Sequence, residues 1–254
     1  MSILSQKTIK NKISIKGIGL HTGNSVELNL LPAAPNTGIL FKRVDLSKNN
    51  IVIPTYDNVI DTTLCTTLAN ENGVKVSTVE HLMGSLYGLG IDNLIVEVNN
   101  QELPILDGSA KIFVEKILAT GIKDSSTPIK LIKIEKKVSL SEGSKSISLE
   151  KSKVASEIDF EIKYNNKIIN TQKNKINIFN DDLKNIFESR TFCLYEDVEK
   201  LKRNGFAKGG SLDNAIVVDK DKVLNTEGLR NSKEFVNHKI LDCMGDLYLS
   251  GYRI

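Results

Sequence analysis

The order in which strand and helix patterns follow one another is the feature that most limits the folds open to this chain. Short segments with period-two alternation come early, at 8–16 and 25–31, and the apolar run at 94–98 also predicts a strand. Helical periodicity appears after or between these segments, at 78–88 and 110–120. Strands that precede or surround helices in this irregular order are typical of an α+β fold.

The same order restarts after a short polar segment. DSSTP at 124–128 is rich in residues that favour turns, and it predicts a linker. We therefore expect two α+β domains, 1–125 and 126–254. The second half has predicted strands near 129–138, 146–150, 156–163, 190–194 and 215–219, a polar stretch at 164–177, and helices near 180–187, 197–204 and 232–249. The strand, helix and strand between about 194 and 220 form a small element of their own.

Composition excludes several classes of protein. A formal net charge of +3 over 254 residues, with both signs interspersed, gives no basis for a nucleic-acid surface. The three cysteines (Cys65, Cys193 and Cys243) are far apart and predict no disulfide framework, which suits a reducing compartment. The amino end lacks the apolar core of a signal peptide, and no stretch is long enough to span a membrane. We expect a cytoplasmic protein.

The last helix carries polar residues on one face. On a wheel of 100° per residue, Asp242 lies about 40° from His238 and Asp246 about 80° away. The apolar residues of the helix lie opposite, so one face is buried and the other presents a histidine and two carboxylates. A histidine and a carboxylate at i, i+4 can reach one cation. An ordinary solvated helix pair is the alternative.

The helix at 78–88 offers a second histidine, His81, directly after Glu80. Gly84 and other small residues share the side of His81, so another element can approach closely there. Two simpler interpretations stay open. Glu80 has capping-box spacing from Ser77, and His81 can be a buried histidine held by a backbone carbonyl.

Taken together, these residues suggest a metal site. His81, His238 and Asp242 would hold an ion through three ligands and leave a fourth position, as catalytic zinc sites do. Glu80, beside a ligand, could take a proton from water at that site. Nitrogen and oxygen ligands without thiolate favour zinc, although iron or another divalent ion also fits.

Several longer motifs carry a resemblance to a known family. They are GIGLHTG (17–23), STVEHL (77–82), GLGIDN (88–93), PILDGSA (104–110), SRTF (189–192), GGSLDNAIV (209–217) and VLNTEGLRN with EFVNHKILDCMGDL (223–247). In this order they resemble the UDP-3-O-acyl-N-acetylglucosamine deacetylases of lipid A synthesis over nearly the whole chain. The resemblance implies two related domains with the active site between them, and zinc-dependent hydrolysis of the N-acetyl group of an acylated UDP-sugar.

The resemblance also implies roles for single residues. His81, His238 and Asp242 match the zinc ligands, and one Zn²⁺ per chain is expected. Glu80 matches the general base, Thr191 the hydroxyl that stabilises the oxyanion, and Asp246 the aspartate that orients a histidine near the leaving amine. Lys239 and Phe192 match substrate-contacting residues. Without the family, Thr191 would be read as a β-strand residue, Lys239 as an exposed lysine and Phe192 as a core residue.

The element at about 194–220 resembles the family's insert, which forms an apolar passage for the acyl chain. Val198, Ala207, Gly210, Ser211 and Val217 match positions along this passage. Small and branched apolar residues suit a narrow hydrocarbon tunnel, since each buried CH₂ contributes about 0.8 kcal/mol. They would equally suit the core of a strand–helix–strand element.

The sequence ends at Ile254, before the family's usual C-terminal segment with its histidine. We therefore expect either an incomplete form of a normal enzyme or a naturally shortened one. A catalytically weak or silent protein that binds UDP-sugar or acyl ligands is the alternative function. A monomer that acts on a small-molecule substrate is expected in either case.

Overall fold

The computed structural model describes residues 4–152 and 156–254. It confirms the predicted α+β class, because small sheets alternate irregularly with helices along the chain. The helices are α1 (Glu80–Leu89), α2 (Lys111–Thr120), α3 (Lys184–Phe187), α4 (Tyr195–Arg203) and α5 (Glu234–Tyr248). Within the described ranges, none of them is long and apolar enough to cross a membrane.

The strands of the first half are β1 (Ser5–Ile9), β2 (Ile13–Ile18), β3 (Ser25–Pro32), β4 (Ile39–Arg43), β5 (Ile51–Val52), β6 (Val59–Asp61), β7 (Thr67–Ala69), β8 (Lys75–Ser77), β9 (Leu94–Val98) and β10 (Ile122–Pro128). Five of them form a sheet with the order β2-β3-β9-β4-β5. The pair β4–β9 is parallel, and the other neighbours are antiparallel. Alternate side chains of β3 are buried, as its period-two pattern predicts.

The predicted linker at 124–128 is wrong. These residues belong to β10, which pairs antiparallel with β1 through Ile9 and Ile122, Thr8 and Lys123, and Lys7 and Asp124. Serine and threonine favour turns by composition, but β10 is held by main-chain hydrogen bonds that composition does not register. The segment at 8–16, predicted as one strand, is divided between two strands, because β1 ends at Ile9 and β2 begins at Ile13. Between them, Lys10 N donates to Gly121 O at 2.9 Å.

The strands of the second half are β11 (Val138–Glu142), β12 (Lys145–Leu149), β13 (Glu157–Lys163), β14 (Thr171–Asn177), β15 (Phe192–Leu194), β16 (Ile216–Asp219) and β17 (Lys222–Val223). They form two antiparallel pairs and a three-stranded sheet. The polar stretch at 164–177, for which no strand was predicted, contains β14, whose exposed residues alternate with half-buried or buried ones as it pairs with β13. β15 pairs parallel with β16, so α4 crosses between them.

Helices α1 and α5 join the two halves in one hydrophobic core. Leu82 and Leu86 of α1 and Ile240 and Met244 of α5 are buried in the same cluster. On its other side, α5 buries Phe235 in a second cluster with β16 residues. The helix that carries His238 is therefore fixed from both sides, and its remaining face lies against the part of α1 that carries His81.

Candidate active site

The close approach of α1 and α5 depends on glycine. A Cβ atom at Gly84 would lie 2.7 Å from the carbonyl oxygen of Leu241, and one at Gly245 would meet the carbonyl oxygen of Glu80. Neither position has room for a side chain, so the two backbones touch. The small-residue face predicted on α1 is therefore the contact surface, and it brings His81 next to α5.

A buried cluster of two histidines and one aspartate results. Asp242 Oδ1 lies 3.6 Å from His81 Nε2 and 3.5 Å from His238 Nε2. The imidazole rings are nearly perpendicular, with centroids 4.9 Å apart. One ligand atom of each residue lies within 4.8 Å of the others. The solvated helix pair considered for His238 and Asp242 is wrong, since His238 is only 1% exposed.

Hydrogen bonds around the cluster orient its ligand atoms. His238 Nδ1 lies 3.0 Å from the carbonyl oxygen of Ser189, which can only accept, so Nδ1 carries the proton and Nε2 presents a lone pair. Lys239 Nζ donates to Oδ2 of Asp242 at 2.8 Å. Asp242 Oδ1 is buried and has no hydrogen-bond partner among residues 4–152 and 156–254. A buried carboxylate oxygen between two imidazole nitrogens fits a cation.

The protonation states also suit metal binding. Burial lowers the pKa of His81 and lowers that of His238 to about 3, so both rings are neutral near pH 7. Burial works to raise the pKa of Asp242, but the positive charges that His238, Lys239 and His81 can carry outweigh it and hold that pKa below its usual range. Neutral imidazoles and an ionised carboxylate are the forms that bind metal ions.

Glu80 and Asp246 lie next to the cluster and share a partner. Glu80 Oε2 accepts a hydrogen bond from Thr66 N at 3.0 Å, and Asp246 Oδ1 accepts one from the Thr66 hydroxyl at 2.8 Å. Burial, with Asp242 and Asp246 nearby, raises the pKa of Glu80 to about 8. Burial likewise raises the pKa of Asp246 to about 6. Such values suit groups that exchange protons near neutral pH.

The two simpler interpretations of α1 are both wrong. Ser77 Oγ donates to the carbonyl oxygen of Gln101 at 3.1 Å, and α1 has no side-chain cap at Val79. Glu80 is therefore held by Thr66 rather than by a capping box. The histidine held by a backbone carbonyl is His238, through Ser189, whereas His81 faces Asp242.

The SRTF segment places Phe192 beside the cluster. The Phe192 ring lies 6.4 Å from the His238 ring and 5.6 Å from Lys239 Nζ, so these three predicted site residues are together. Thr191 is fixed through its backbone: its N–H donates to Gly108 O at 2.8 Å, and its carbonyl accepts from Ile216 N at 2.8 Å. It follows Ser189, which contacts His238, by two residues.

Arg190, in the same segment, is a positioning residue that the sequence interpretation missed. It is 1% exposed, and its Nε donates to Glu234 Oε1 at 2.8 Å while one terminal nitrogen donates to Gly228 O at 2.7 Å. Glu234 opens α5, so this pair ties the SRTF segment to the helix that bears His238. A buried arginine needs such a partner, but 44 residues separate the two and no local pattern links them.

The predicted passage residues are spread over three elements. Val198 is half-buried on α4, and Val217 is buried in β16 beside Cys193 of β15. Ala207, Gly210 and Ser211 lie on the loop between α4 and β16, where a Cβ at Gly210 would lie 3.7 Å from Leu20 Cδ1. This loop therefore packs against the glycine-bounded turn of the first half.

That turn carries His21, which does not belong to the group formed by His81, His238 and Asp242. The His21 ring packs edge-on against Phe206 at 5.5 Å, and its two ring nitrogens are buried without a hydrogen-bond partner in the described part of the chain. Burial lowers its pKa. The turn is held by Glu102, a fully buried carboxylate that accepts from the backbone N–H groups of His21 and Thr22 at 2.8 Å each.

An α+β chain with a buried His–His–Asp cluster and an adjacent protonatable carboxylate has the donor set of a mononuclear metallohydrolase. The sequence profile of the UDP-3-O-acyl N-acetylglycosamine deacetylases matches residues 6–254, and the chain belongs to this family. It is 46% identical over 256 residues to the UDP-3-O-acyl-N-acetylglucosamine deacetylase of Methylococcus capsulatus and 43% identical over 255 residues to that of Haemophilus ducreyi. Each alignment covers 99% of this chain and 83% of the relative. These names denote deacetylation of an acylated UDP-sugar, a small molecule.

Proposed function

We propose that the chain hydrolyses the N-acetyl group of UDP-3-O-(3-hydroxyacyl)-N-acetylglucosamine, giving acetate and the free amine, with one bound Zn²⁺. This is the committed step of lipid A biosynthesis. The observation that carries the proposal is the unpartnered Oδ1 of Asp242 between His81 Nε2 and His238 Nε2, beside Glu80, in a chain of this family.

Those three atoms are the proposed zinc ligands. When bound, zinc would polarise the acetamide carbonyl and lower the pKa of water at the site. Lys239, which donates to the outer oxygen of Asp242, helps to orient that ligand and is also proposed to contact the substrate. Phe192 is proposed to lie against the sugar, because its ring is adjacent to both His238 and Lys239.

The protein's own groups supply the proton transfers. Glu80 takes a proton from the attacking water as the new C–O bond forms, and Thr191 donates a hydrogen bond to the carbonyl oxygen as negative charge develops there. Glu80 then carries a proton that it can return to the nitrogen as the C–N bond breaks. Asp246 is assigned to the same proton-transfer step, in which it orients the group that protonates the amine.

The remaining features of the proposal concern the substrate and the cell. Val198, Ala207, Gly210, Ser211 and Val217 are proposed to line the passage for the acyl chain. Residues 1–125 and 126–254 are proposed as the two domains on either side of the site, supported by the cluster that α1 and α5 form between them; they would be joined through β10, which pairs with β1, and not through a linker. A monomer in the cytoplasm is proposed, in keeping with three unpaired cysteines.

The test is acetate release from this substrate by the full 254-residue chain loaded with one zinc ion. We expect turnover that a chelator abolishes and that added zinc restores. Glu80→Gln should lower kcat about 10²–10⁴-fold while zinc content stays at one per chain. His81→Ala serves as the contrast, because it should lose zinc itself. Loss of zinc in Glu80→Gln would show that Glu80 is a ligand, and absence of chelator-sensitive turnover in the unaltered chain would refute the proposal.

A further inference from the structure

Thr66 is the residue that joins the two protonatable carboxylates of the site. It precedes β7, and it is 6% exposed. Its backbone N–H bonds to Glu80, 14 residues away on α1, and its hydroxyl bonds to Asp246, 180 residues away on α5. A hydroxyl has one proton to donate, and here that proton goes to Asp246.

The backbone on either side of these bonds is strained. Leu64, two residues before Thr66, has φ = +67°, and Thr78, two residues before Glu80, has φ = +57°. Positive φ is uncommon for residues other than glycine, and for a β-branched residue such as threonine it is an outlier. Thr78 is held by a hydrogen bond from its hydroxyl to Glu102 Oε1 at 3.1 Å. Strain that is held in this way by surrounding contacts is concentrated at functional sites.

The need for such a residue follows from the helix geometry. Glycine contacts fix the backbones of α1 and α5, but a glutamate side chain has several rotatable bonds, and backbone packing alone does not fix its carboxylate. A general base must lie within hydrogen-bond reach of the proton that it removes. The Thr66 N–H restrains Glu80, and the Thr66 hydroxyl restrains Asp246 relative to the same peptide.

We propose that Thr66 is a positioning residue of the deacetylation, whose backbone N–H holds Glu80 and whose hydroxyl holds Asp246 so that the two carboxylates keep a fixed separation. This inference rests on the proposed function. Thr66 contacts neither His81, His238 nor Asp242 through these bonds, so its side chain bears on proton transfer and not on ligation of the metal. Loss of the Thr66 hydroxyl should therefore lower kcat and leave KM and zinc affinity nearly unchanged.

The first test is kinetic and uses the zinc-loaded full chain. Thr66→Val keeps the shape and the backbone N–H but removes the hydroxyl, and Thr66→Ser keeps the hydroxyl. A hydrogen bond to a charged group corresponds to about a 10- to 100-fold effect, so we expect Thr66→Val to lower kcat by that factor with KM changed less than about twofold. Thr66→Ser should restore most of kcat, and all variants should bind one zinc.

The matched control is Thr67→Val. Thr67 is the neighbouring threonine, and its hydroxyl lies 3.8 Å from Cys65 Sγ. The same chemical change there should leave kcat unaltered. Equal kcat in Thr66→Val and the unaltered chain would overturn the inference while leaving the proposed function intact, and so would a serine variant as slow as the valine variant.

A second test does not require turnover. In the metal-free chain, Thr66→Val and Asp246→Ala should each lower the urea midpoint of unfolding. The double variant should lower it by less than the sum of the two shifts, because each single variant already removes the same hydrogen bond between Thr66 and Asp246. Additive shifts would overturn the inference. Non-additive shifts together with absent turnover in the unaltered chain would instead refute the proposed function, and with it a role for Thr66 in the reaction.

Discussion

Lys239 Nζ lies 2.8 Å from Oδ2 of Asp242, the oxygen opposite the one that faces the two histidines. Asp242 is therefore oriented by the Lys239 ammonium group at Oδ2, while Oδ1 is left to bind the proposed metal ion. The pKa of Lys239 is raised, chiefly by the charge of Asp242, so the lysine is protonated at neutral pH. This pair gives Lys239 a part in the proposed metal site as well as a proposed contact with substrate.

The first prediction concerns that pair. Lys239→Met should weaken zinc affinity about 10- to 100-fold, because a side chain that hydrogen-bonds to a metal ligand holds that ligand in the orientation it needs for binding. Competition against a chromophoric chelator measures the affinity directly. Lys233→Met is a suitable control, since Lys233 bonds to Asn174 on the exposed side of the same helix region. Equal affinities in the two variants would limit Lys239 to substrate contact.

A second prediction concerns the acid stability of the metal-free chain. The pKa of His238 is lowered to about 3 by burial, well below its value of 6.5 when unfolded. A depressed pKa means that the unfolded chain binds the proton first, so the stability contributed by the neutral ring is complete above pH 6.5 and is lost as the pH falls toward 3. Glu80 and Asp246, whose pKa values are raised, act in the opposite direction as the pH falls. The His238 contribution is therefore measured by urea unfolding at several pH values as the difference in free energy between the unaltered chain and a His238 variant, and this difference should fall by a few kcal/mol over the range.

His238→Asn provides the comparison for that experiment. The amide of asparagine can still donate toward Ser189 but does not titrate, so the variant should lose less stability than the unaltered chain as the pH falls from 6.5 to 3. Some slope should remain, because burial also lowers the pKa values of His21 and His81. A variant profile as steep as that of the unaltered chain would contradict a neutral, buried His238.

The third prediction concerns the glycine contact between the helices. Gly84→Ala places a methyl group 2.7 Å from Leu241 O, so it should lower the free energy of unfolding by about 1–3 kcal/mol and weaken zinc binding by separating α1 from α5. Gly73→Ala makes the same chemical change at φ = +76°, with nothing within 4 Å in the described chain. It should cost about 1 kcal/mol through its backbone conformation and leave zinc affinity unchanged.

The fourth prediction concerns the buried ion pair under the SRTF segment. Arg190→Met leaves Glu234 buried without its cation, and we expect a loss of about 3–5 kcal/mol in the free energy of unfolding. Adding Glu234→Gln to that variant should recover part of the loss, because the uncompensated charge is removed. Thermal or urea unfolding of the unaltered chain and the two variants tests this, and a double variant no more stable than Arg190→Met would count against it.

Much of the site was accessible from sequence because it lies on regular helices. Periodicity predicted α1 and α5 closely, and the wheel put His238, Asp242 and Asp246 on one face. Three-dimensional contact was needed to bring His81 to them, because 157 residues separate the two histidines and no local pattern spans that distance. The family resemblance, not spacing, paired them in the sequence analysis.

What the sequence concealed has a common physical cause. Thr66, Arg190 and Glu102 act through hydrogen bonds to residues that lie between 14 and 180 residues away in the sequence, so only the folded chain brings each pair together. The strand character of 124–128 was hidden for the same reason, since main-chain pairing with β1 overrode a composition that favours turns. Such contacts have no signature in residue type.

The bare backbone contact at Gly84 and Gly245 has a consequence for how this protein can vary. Backbone atoms set the distance between α1 and α5 at this contact. Core side chains elsewhere can therefore be substituted without changing the distances between the ligand atoms of His81, His238 and Asp242. The residues of the proposed passage lie elsewhere, on α4, on β16 and on the loop between them, so substitutions there leave this backbone contact between α1 and α5 in place.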